Sequence, residues 1–288
     1  MLSEISQANA LIVGASQGIG LGFVRSLLGA VAYGGNPHPR QFLQVGEPAQ
    51  RTVSQDRAAP LLNQDNIQRI FATYRDSNTA SELLELQDRY SDRLKCLQVD
   101  ITSESQIAAA IKQIQTEVKQ LHLAIYCVGV LHDSKIAPEK SLRQINAENL
   151  IYSFQVNSVG AVLLAKHLMP LFKKTDPSIF ASVSAKVGSI GDNRLGGWYG
   201  YRASKAALNM FLKTTAIEYS RRCPKTIVVA LHPGTTDTRL SQPFQKNVPE
   251  GKLFPVEKTV NLLTEVISNL EQKDSGEFFS WDGTRLPW

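Results

Sequence analysis

Short apolar runs alternate with amphipathic stretches of helical length along the chain, and this alternation constrains the fold more than any other feature. Residues 10–13, 67–74, 93–99, 121–128, 178–184, 226–231 and 277–281 read as strands. Helices are expected over 19–28, 80–90, 104–119, about 147–173, 201–221 and 256–270. In the third of these, Ile107, Ile111, Ile114 and Val118 share one face. This βαβ rhythm predicts an α/β fold in one domain over residues 1–288: a doubly wound parallel sheet with helices on both faces and right-handed crossovers. A hydrophobic share of 43% supplies a core large enough for it. One segment breaks the rhythm, at about residues 30–64. It holds Gly34, Gly35, Pro37, Pro39, Pro48 and Pro60 where a short helix-to-strand loop would suffice. Such a segment is either a disordered surface insertion or a functional flap.

The first strand runs directly into Gly14-Ala15-Ser16-Gln17-Gly18-Ile19-Gly20. Glycines at these places allow a tight turn, a close backbone approach to a pyrophosphate and close packing of helix on strand. The helix that follows offers free N–H groups and a partial positive charge. Gly14, Ser16, Gln17, Gly18, Ile19 and Gly20 are therefore candidate contacts to a dinucleotide, in G-x-x-x-G-x-G spacing rather than the commoner G-x-G-x-x-G. A glycine cluster alone is also compatible with a simple turn. At the end of the second strand, Ala72-Thr73-Tyr74-Arg75 carries no carboxylate for a ribose 2′-hydroxyl before Asp76. Arg75 suits a 2′-phosphate, so NADP(H) is expected over NAD(H). The alternative for Arg75 is an ordinary exposed strand-end residue.

Tyr201-Arg-Ala-Ser-Lys205 opens a helix and sets a phenol and an ammonium one turn apart on the same face. A nearby ammonium favours the phenolate and lowers the phenol's pKa, which suits Tyr201 to exchange a proton with a carbonyl or alcohol oxygen. Several other functions are excluded. The net charge of +5 comes without any run of Lys and Arg, so nucleic-acid binding is not expected. His132, His167 and His232 have no ligand at helical spacing, and no metal is expected. Ser184 is not within G-x-S-x-G, so a hydrolase elbow is absent. Cys96, Cys127 and Cys223 show no disulfide or metal spacing, and no apolar run approaches the ~20 residues a membrane span needs. With no signal-peptide pattern near Met1, the cytoplasm is the expected compartment.

Taken in order, the glycine turn, Asp100 after the third strand, Asn157 in the long helix, a serine on the fifth strand, Tyr201-x-x-x-Lys205 and Pro233-Gly234 after the sixth resemble the short-chain dehydrogenase/reductase family over nearly the whole chain. Val187-Gly-Ser-Ile190, Asn193-Arg194, Gly196-Gly-Trp-Tyr199 and the ending Asp282-Gly-Thr-Arg-Leu-Pro-Trp288 are similar to its C-factor/sniffer-type carbonyl reductase group. The resemblance implies a Rossmann-type domain that moves hydride between a nicotinamide and a small carbonyl or alcohol substrate, often as a homodimer or homotetramer. It implies Tyr201 as acid/base and Lys205 as the residue that lowers its pKa and bonds the nicotinamide ribose. Asn157 would hold a relay water, and Asp100 and Ile101 would meet the adenine. Gly129, Pro233 and Gly234 would line the cofactor, with Thr236 and Thr238 at the carboxamide. Asn157 is alternatively a helix-kink or packing residue, and Asp100 a helix N-cap.

Two departures stand out. Cys127-Val128-Gly129 replaces the family's Asn-Ala-Gly, and Ser184-Ala185 replaces its Ser-Ser pair, with Ala185 at the usual catalytic place. Ser184 is the expected catalytic serine, with Ser189 another hydroxyl within reach. Tyr199 lacks a lysine four residues on, and Trp198-Tyr199-Gly200 is expected in the substrate wall. Residues 130–145, 186–198 and 239–255 are the substrate-facing segments, the last a lid. The altered motifs also keep open a catalytically impaired, cofactor-binding signalling or scaffold protein of the same fold.

Overall fold

The computed structural model describes residues 7–30, 66–134 and 136–288. The insertion expected at about 30–64 lies outside the described residues except for Ala30. Strands β1 (Ala8–Val13), β2 (Ile67–Tyr74), β3 (Leu94–Gln98), β4 (Leu123–Tyr126), β5 (Ser178–Val183), β6 (Thr226–His232) and β9 (Glu277–Ser280) form one parallel sheet in the order β3-β2-β1-β4-β5-β6-β9. Two short strands, β7 (Thr235–Thr236) and β8 (Leu253–Phe254), pair with each other.

Alternation along the strands sends side chains into two cores. Ala10 and Ile12 of β1 join a cluster with Phe23, Val24 and Leu27 of α1 (Gly18–Leu28), Leu83 of α2 (Ser81–Arg89) and Leu263 of α7 (Val256–Ser268). Leu11 and Val13 join the opposite cluster, with Ile111 of α3 (Glu104–Glu117), Leu164 of α5 (Gly160–Leu168) and Leu212 of α6 (Tyr199–Arg222). The chain travels outward from β1 to β3 and then returns to place β4 on the other side of β1. That reversal opens a crevice at the carboxyl ends of the strands, where open α/β sheets take ligands.

The expected long helix is interrupted. Its first part, α4 (Ala147–Phe154), passes through one π-helical turn, Gln155–Val159, before continuing as α5. It stops at Leu168 rather than 173, because Pro170 has no N–H for the next turn and the chain tightens into a 3₁₀ turn, Met169–Leu171. β4 is shorter than expected, and the residues after Tyr126 are free to form the site. α6 starts two residues before Tyr201, which places the phenol inside the first turn.

Candidate active site

The glycine turn is built so that only glycine fits. Gly14 and Gly18 have φ of 82° and 57°. A Cβ on Gly20 would fall 2.2 Å from the Gly14 carbonyl oxygen. The turn is tied to β2: the Gly14 N–H donates to Thr73 Oγ1 at 3.1 Å and the Ala15 N–H to the Thr73 carbonyl at 2.7 Å. Gln17 is the N-cap of α1 without a side-chain cap, and no acidic residue stands in the first turn. The first turn of α1 thus sets no carboxylate of its own against the amides and dipole that face the turn. A cavity beside it is lined by Ser16, Gln17 and Gly18 together with Arg25 and the carboxylate residues Glu82, Asp237 and Glu257. Gly18 also lies against Thr238, whose Cγ2 would be 3.2 Å from an added Cβ.

Arg75 is exposed at the end of β2, and no hydrogen bond or ion pair engages its guanidinium among the described residues. Its neighbour Asp76 is occupied locally, accepting the Asn78 N–H at 2.9 Å as the N-cap of a 3₁₀ turn. Asp100 is not the cap of α3; that place belongs to Ser103. Asp100 instead closes its own turn, accepting the Thr102 N–H at 2.9 Å and hydroxyl at 2.7 Å. Ile101 is buried in the core that packs against Gly160.

Asn157, Gly129 and Lys205 converge. A Cβ on Gly129 would lie 3.5 Å from Lys205 Nζ and 3.6 Å from Asn157 Oδ1. Asn157 sits in the π-helical turn, fully buried. Its Oδ1 accepts the Val130 N–H at 2.7 Å, and its Nδ2 donates to the Val130 carbonyl at 2.9 Å and to Ser204 Oγ at 2.9 Å. Its side chain therefore works as a packing clamp between the loop after β4 and the helix that carries Tyr201. The Ser204 hydroxyl passes the connection on to the Tyr201 carbonyl at 2.9 Å.

Lys205 Nζ donates to the Val183 carbonyl at 3.1 Å and stands 5.9 Å from the centre of the Tyr201 ring. Burial dominates the electrostatics of the pair. It lowers the Lys205 ammonium from 10.5 to about 8 and pushes the Tyr201 phenol above its ordinary value of 10. Desolvation thus raises Tyr201 where its lysine neighbour was expected to lower it, and at neutral pH the phenol holds its proton.

The two serines are engaged by groups other than Tyr201. Ser184 is 2% exposed and its hydroxyl donates to Asn209 Oδ1 at 2.6 Å, one helical turn beyond Lys205. Ser189 is buried and accepts the Asp192 N–H at 3.2 Å. Among the described residues neither hydroxyl bonds to Tyr201. Thr236 directs its hydroxyl to Thr259 Oγ1 at 2.8 Å, so its side chain is occupied, while Thr238 remains half-buried beside Gly18. Pro233 is buried, and Gly234, with φ of 72°, packs against Phe254 and Trp281.

Trp198, expected in the substrate wall, does face Tyr201, and its partners come from residues far apart in the chain. Trp198 lies with its ring 6.3 Å from that of Tyr201 and 5.0 Å from that of Phe244. Phe244 in turn meets His132 at 5.7 Å. His132 Nε2 lies 3.2 Å from both the Arg239 and Leu240 carbonyls, which ties the 130–145 loop to the 239–255 segment. Glu139, 7% exposed, accepts the Gly200 N–H at 3.1 Å through Oε2. No spacing signal marks Glu139, since its contact spans 61 residues. The described residues contain no cluster of three or more His, Cys, Asp or Glu suited to a metal, and no helix among them is long and apolar enough to cross a membrane.

Residues 56–249 match the family model described as short chain dehydrogenase. An uncharacterized oxidoreductase of Schizosaccharomyces pombe is 27% identical over 232 residues, covering 76% of this chain and 87% of that protein. The C-signal protein of Myxococcus xanthus is 29% identical over 148 residues, 51% of this chain and 84% of its own. Among solved structures, an NADPH-bound carbonyl reductase from chicken fatty liver superposes with a TM-score of 0.75 at 26% identity, covering 97% of this chain and 98% of that one. The carbonyl reductase Sniffer of D. melanogaster has the same fold, with a TM-score of 0.75 at 23% identity over 98% of this chain and all of that one. The sheet order, the glycine turn after β1 and the family match over most of the chain lead to one assignment: this protein is an oxidoreductase of the short chain dehydrogenase family.

Proposed function

We propose that the protein is an NADP(H)-dependent carbonyl reductase with Tyr201 as proton donor and Lys205 beside it. The observation that carries this reading is the convergence of Gly129, Asn157 and Lys205 next to Tyr201, at the carboxyl ends of β4 and β5. The residues fit the cofactor. The glycine turn is a cradle that a Cβ would fill, α1 presents uncapped amides, and the Arg75 guanidinium at the end of β2 has no partner among the described residues. Ser16, Gln17, Gly18 and Ile19 would hold the pyrophosphate, Arg75 the 2′-phosphate, Asp100 and Ile101 the adenine side, and Gly129, Pro233, Gly234, Thr236 and Thr238 the nicotinamide side. Thr236 would serve through its backbone, its hydroxyl being taken by Thr259. When bound, the cofactor supplies a hydride to the carbonyl carbon.

The chain's own groups do the rest. Tyr201 keeps its proton at neutral pH because burial disfavours the phenolate. The phenol gives that proton to the carbonyl oxygen as negative charge develops there. Lys205, still cationic below about pH 8, stabilises the phenolate that remains. Asn157 fixes the loop and helix between which these groups stand. Ser184 is read here as a structural residue, a change from the sequence expectation, because its hydroxyl is bound to Asn209.

NADPH oxidation with aldehydes tests the proposal. Wild type is expected to turn over, while Tyr201→Phe and Lys205→Met lose at least a hundredfold in kcat, within the range a positioned acid supplies (about 10²–10⁴-fold), and still bind NADPH. The occupied Ser184 hydroxyl, with Ala185 at the family's serine position, favours one competing reading: a cofactor-binding signalling protein without catalysis. Cofactor binding by wild type with no hydride transfer to any aldehyde or ketone would establish that reading and remove this one.

A further inference from the structure

The loop before α6 adopts an unusual backbone. Gly196, Gly197 and Trp198 follow one another with φ of 63°, 65° and 52°, and Trp198 is the one non-glycine with positive φ among the described residues. A bulky residue avoids that conformation unless its surroundings impose it. Two residues impose it here. Arg202 donates through Nε to the Gly196 and Gly197 carbonyls at 3.2 and 3.0 Å, and through Nη1 to the Val187 carbonyl at 3.3 Å. Glu139 takes the Trp198 N–H on its backbone carbonyl and the Gly200 N–H on its carboxylate. The indole of Trp198 offers no cap to α6, so Glu139 supplies one from another loop. It is nearly buried, and no cation among the described residues pairs with it. Its role is set by α6: Gly200 has no room for a side chain because the carboxylate is there, an added Cβ falling 2.9 Å from Oε1.

What this arrangement produces is a fixed indole. Held at its backbone, Trp198 stands edge-on to Tyr201 and against Phe244, itself backed by His132. This aromatic face stands beside Tyr201, where a carbonyl compound held by the phenol would meet it. We propose that Trp198 is a specificity-determining residue of the substrate site and Glu139 its positioning residue, together favouring carbonyl compounds with a flat ring next to the carbonyl over aliphatic ones. This rests on the reading of Tyr201 as the group that meets the substrate.

The test compares wild type with Glu139→Ala, Glu139→Gln and Trp198→Gly, using 4-nitrobenzaldehyde and hexanal as probes. Turnover is followed by NADPH oxidation, and binding of each aldehyde to the NADP⁺-loaded protein by calorimetry. Glycine adopts a φ of 52° without strain, so Trp198→Gly folds and removes the ring alone. It is expected to lower the ratio of kcat/KM for 4-nitrobenzaldehyde over hexanal by about two- to twelvefold, the discrimination an aromatic contact supplies. Glu139→Ala is expected to raise KM for 4-nitrobenzaldehyde by about tenfold, with NADPH affinity within about twofold, the loss expected when one charged hydrogen bond is removed. Glu139→Gln keeps an acceptor for Gly200 and restores most of that loss. Turnover with an unchanged ratio in Trp198→Gly and an unchanged KM in Glu139→Ala would overturn the inference while leaving the reductase reading intact. If wild type does not turn over but 4-nitrobenzaldehyde binding weakens in both Trp198→Gly and Glu139→Ala, the wall stands and the reductase reading falls.

Discussion

Replacing Ser184 by alanine separates a structural hydroxyl from a catalytic one. The side chain is 2% exposed and donates to Asn209 Oδ1 at 2.6 Å; Asn209 is 3% exposed, and its Nδ2 has no partner among the described residues. Removing the hydroxyl leaves the amide oxygen buried and unpaired as well. Stranding a buried acceptor costs about 1–3 kcal/mol, and the void left by one oxygen adds little. In a chain of this size each kcal/mol moves Tm by about 2–4 °C, so a fall of roughly 2–12 °C is expected. Activity follows a different course. With the hydroxyl turned to α6, kcat for aldehyde reduction, measured well below Tm, should change by less than about threefold. A serine that oriented the reacting oxygen would instead contribute about 10²–10³-fold. Thermal unfolding and NADPH oxidation on the same preparation give both numbers. A hundredfold loss of kcat with Tm unchanged would refute the assignment. As a cross-check, the Asn209→Ala change should be non-additive with Ser184→Ala, with a coupling of about 0.5–3 kcal/mol between the two contacting residues.

Two other expectations concern charge. Arg75→Ala should weaken NADPH by about ten- to a hundredfold, the worth of charge-assisted hydrogen bonds, and leave NADH unaffected in a fluorescence titration; equal losses for both would remove Arg75 from the 2′-phosphate. The depression of Lys205 from 10.5 to about 8 makes its burial a liability at neutral pH, where folded and unfolded chains are both protonated there. The native state releases the proton first as pH rises, so this group's contribution to stability increases between about 8 and 10.5. Lys205→Met should therefore unfold at a higher temperature than wild type at pH 7, by on the order of 3 kcal/mol less the lost bond to Val183, with the gap closing by about pH 10.5. A gap that does not depend on pH would contradict a titrating buried ammonium.

Much of this molecule is legible in its sequence because the relevant patterns are local. The glycine turn and Tyr201-x-x-x-Lys205 each lie within seven residues or fewer, and their placement follows from one strand or one helix. The alternation that gave the two cores is equally local. Ser184 and Ala185 were not distinguishable in this way. Which of two adjacent residues meets α6 depends on the phase of β5 relative to a helix that begins fifteen residues later. Glu139 was invisible for the same reason on a larger scale, its partners being Trp198 and Gly200. The sign of the shift at Tyr201 required knowledge of burial, which a neighbouring lysine in the sequence does not report. Nothing local indicates that Trp198 shares the left-handed backbone of Gly196 and Gly197.

The π-helical turn at Gln155–Val159 has a consequence for how this helix tolerates change in length. An extra residue in one turn rotates everything after it by about 100° relative to everything before it. Asn157 is turned toward Val130, and Ala161, Leu164, Ala165 and Leu168 are turned toward the sheet. The wider turn also offers the Val156 carbonyl to the buried Tyr126 hydroxyl at 2.8 Å. An uninterrupted α-helix of one residue fewer would satisfy the amide or the apolar stripe, and not both. Single-residue deletions between 155 and 159 should therefore be far more damaging than deletions of the same size in the loop before α4. The irregular turn acts as a phase adjuster that lets one continuous rod serve the site at one end and the core at the other.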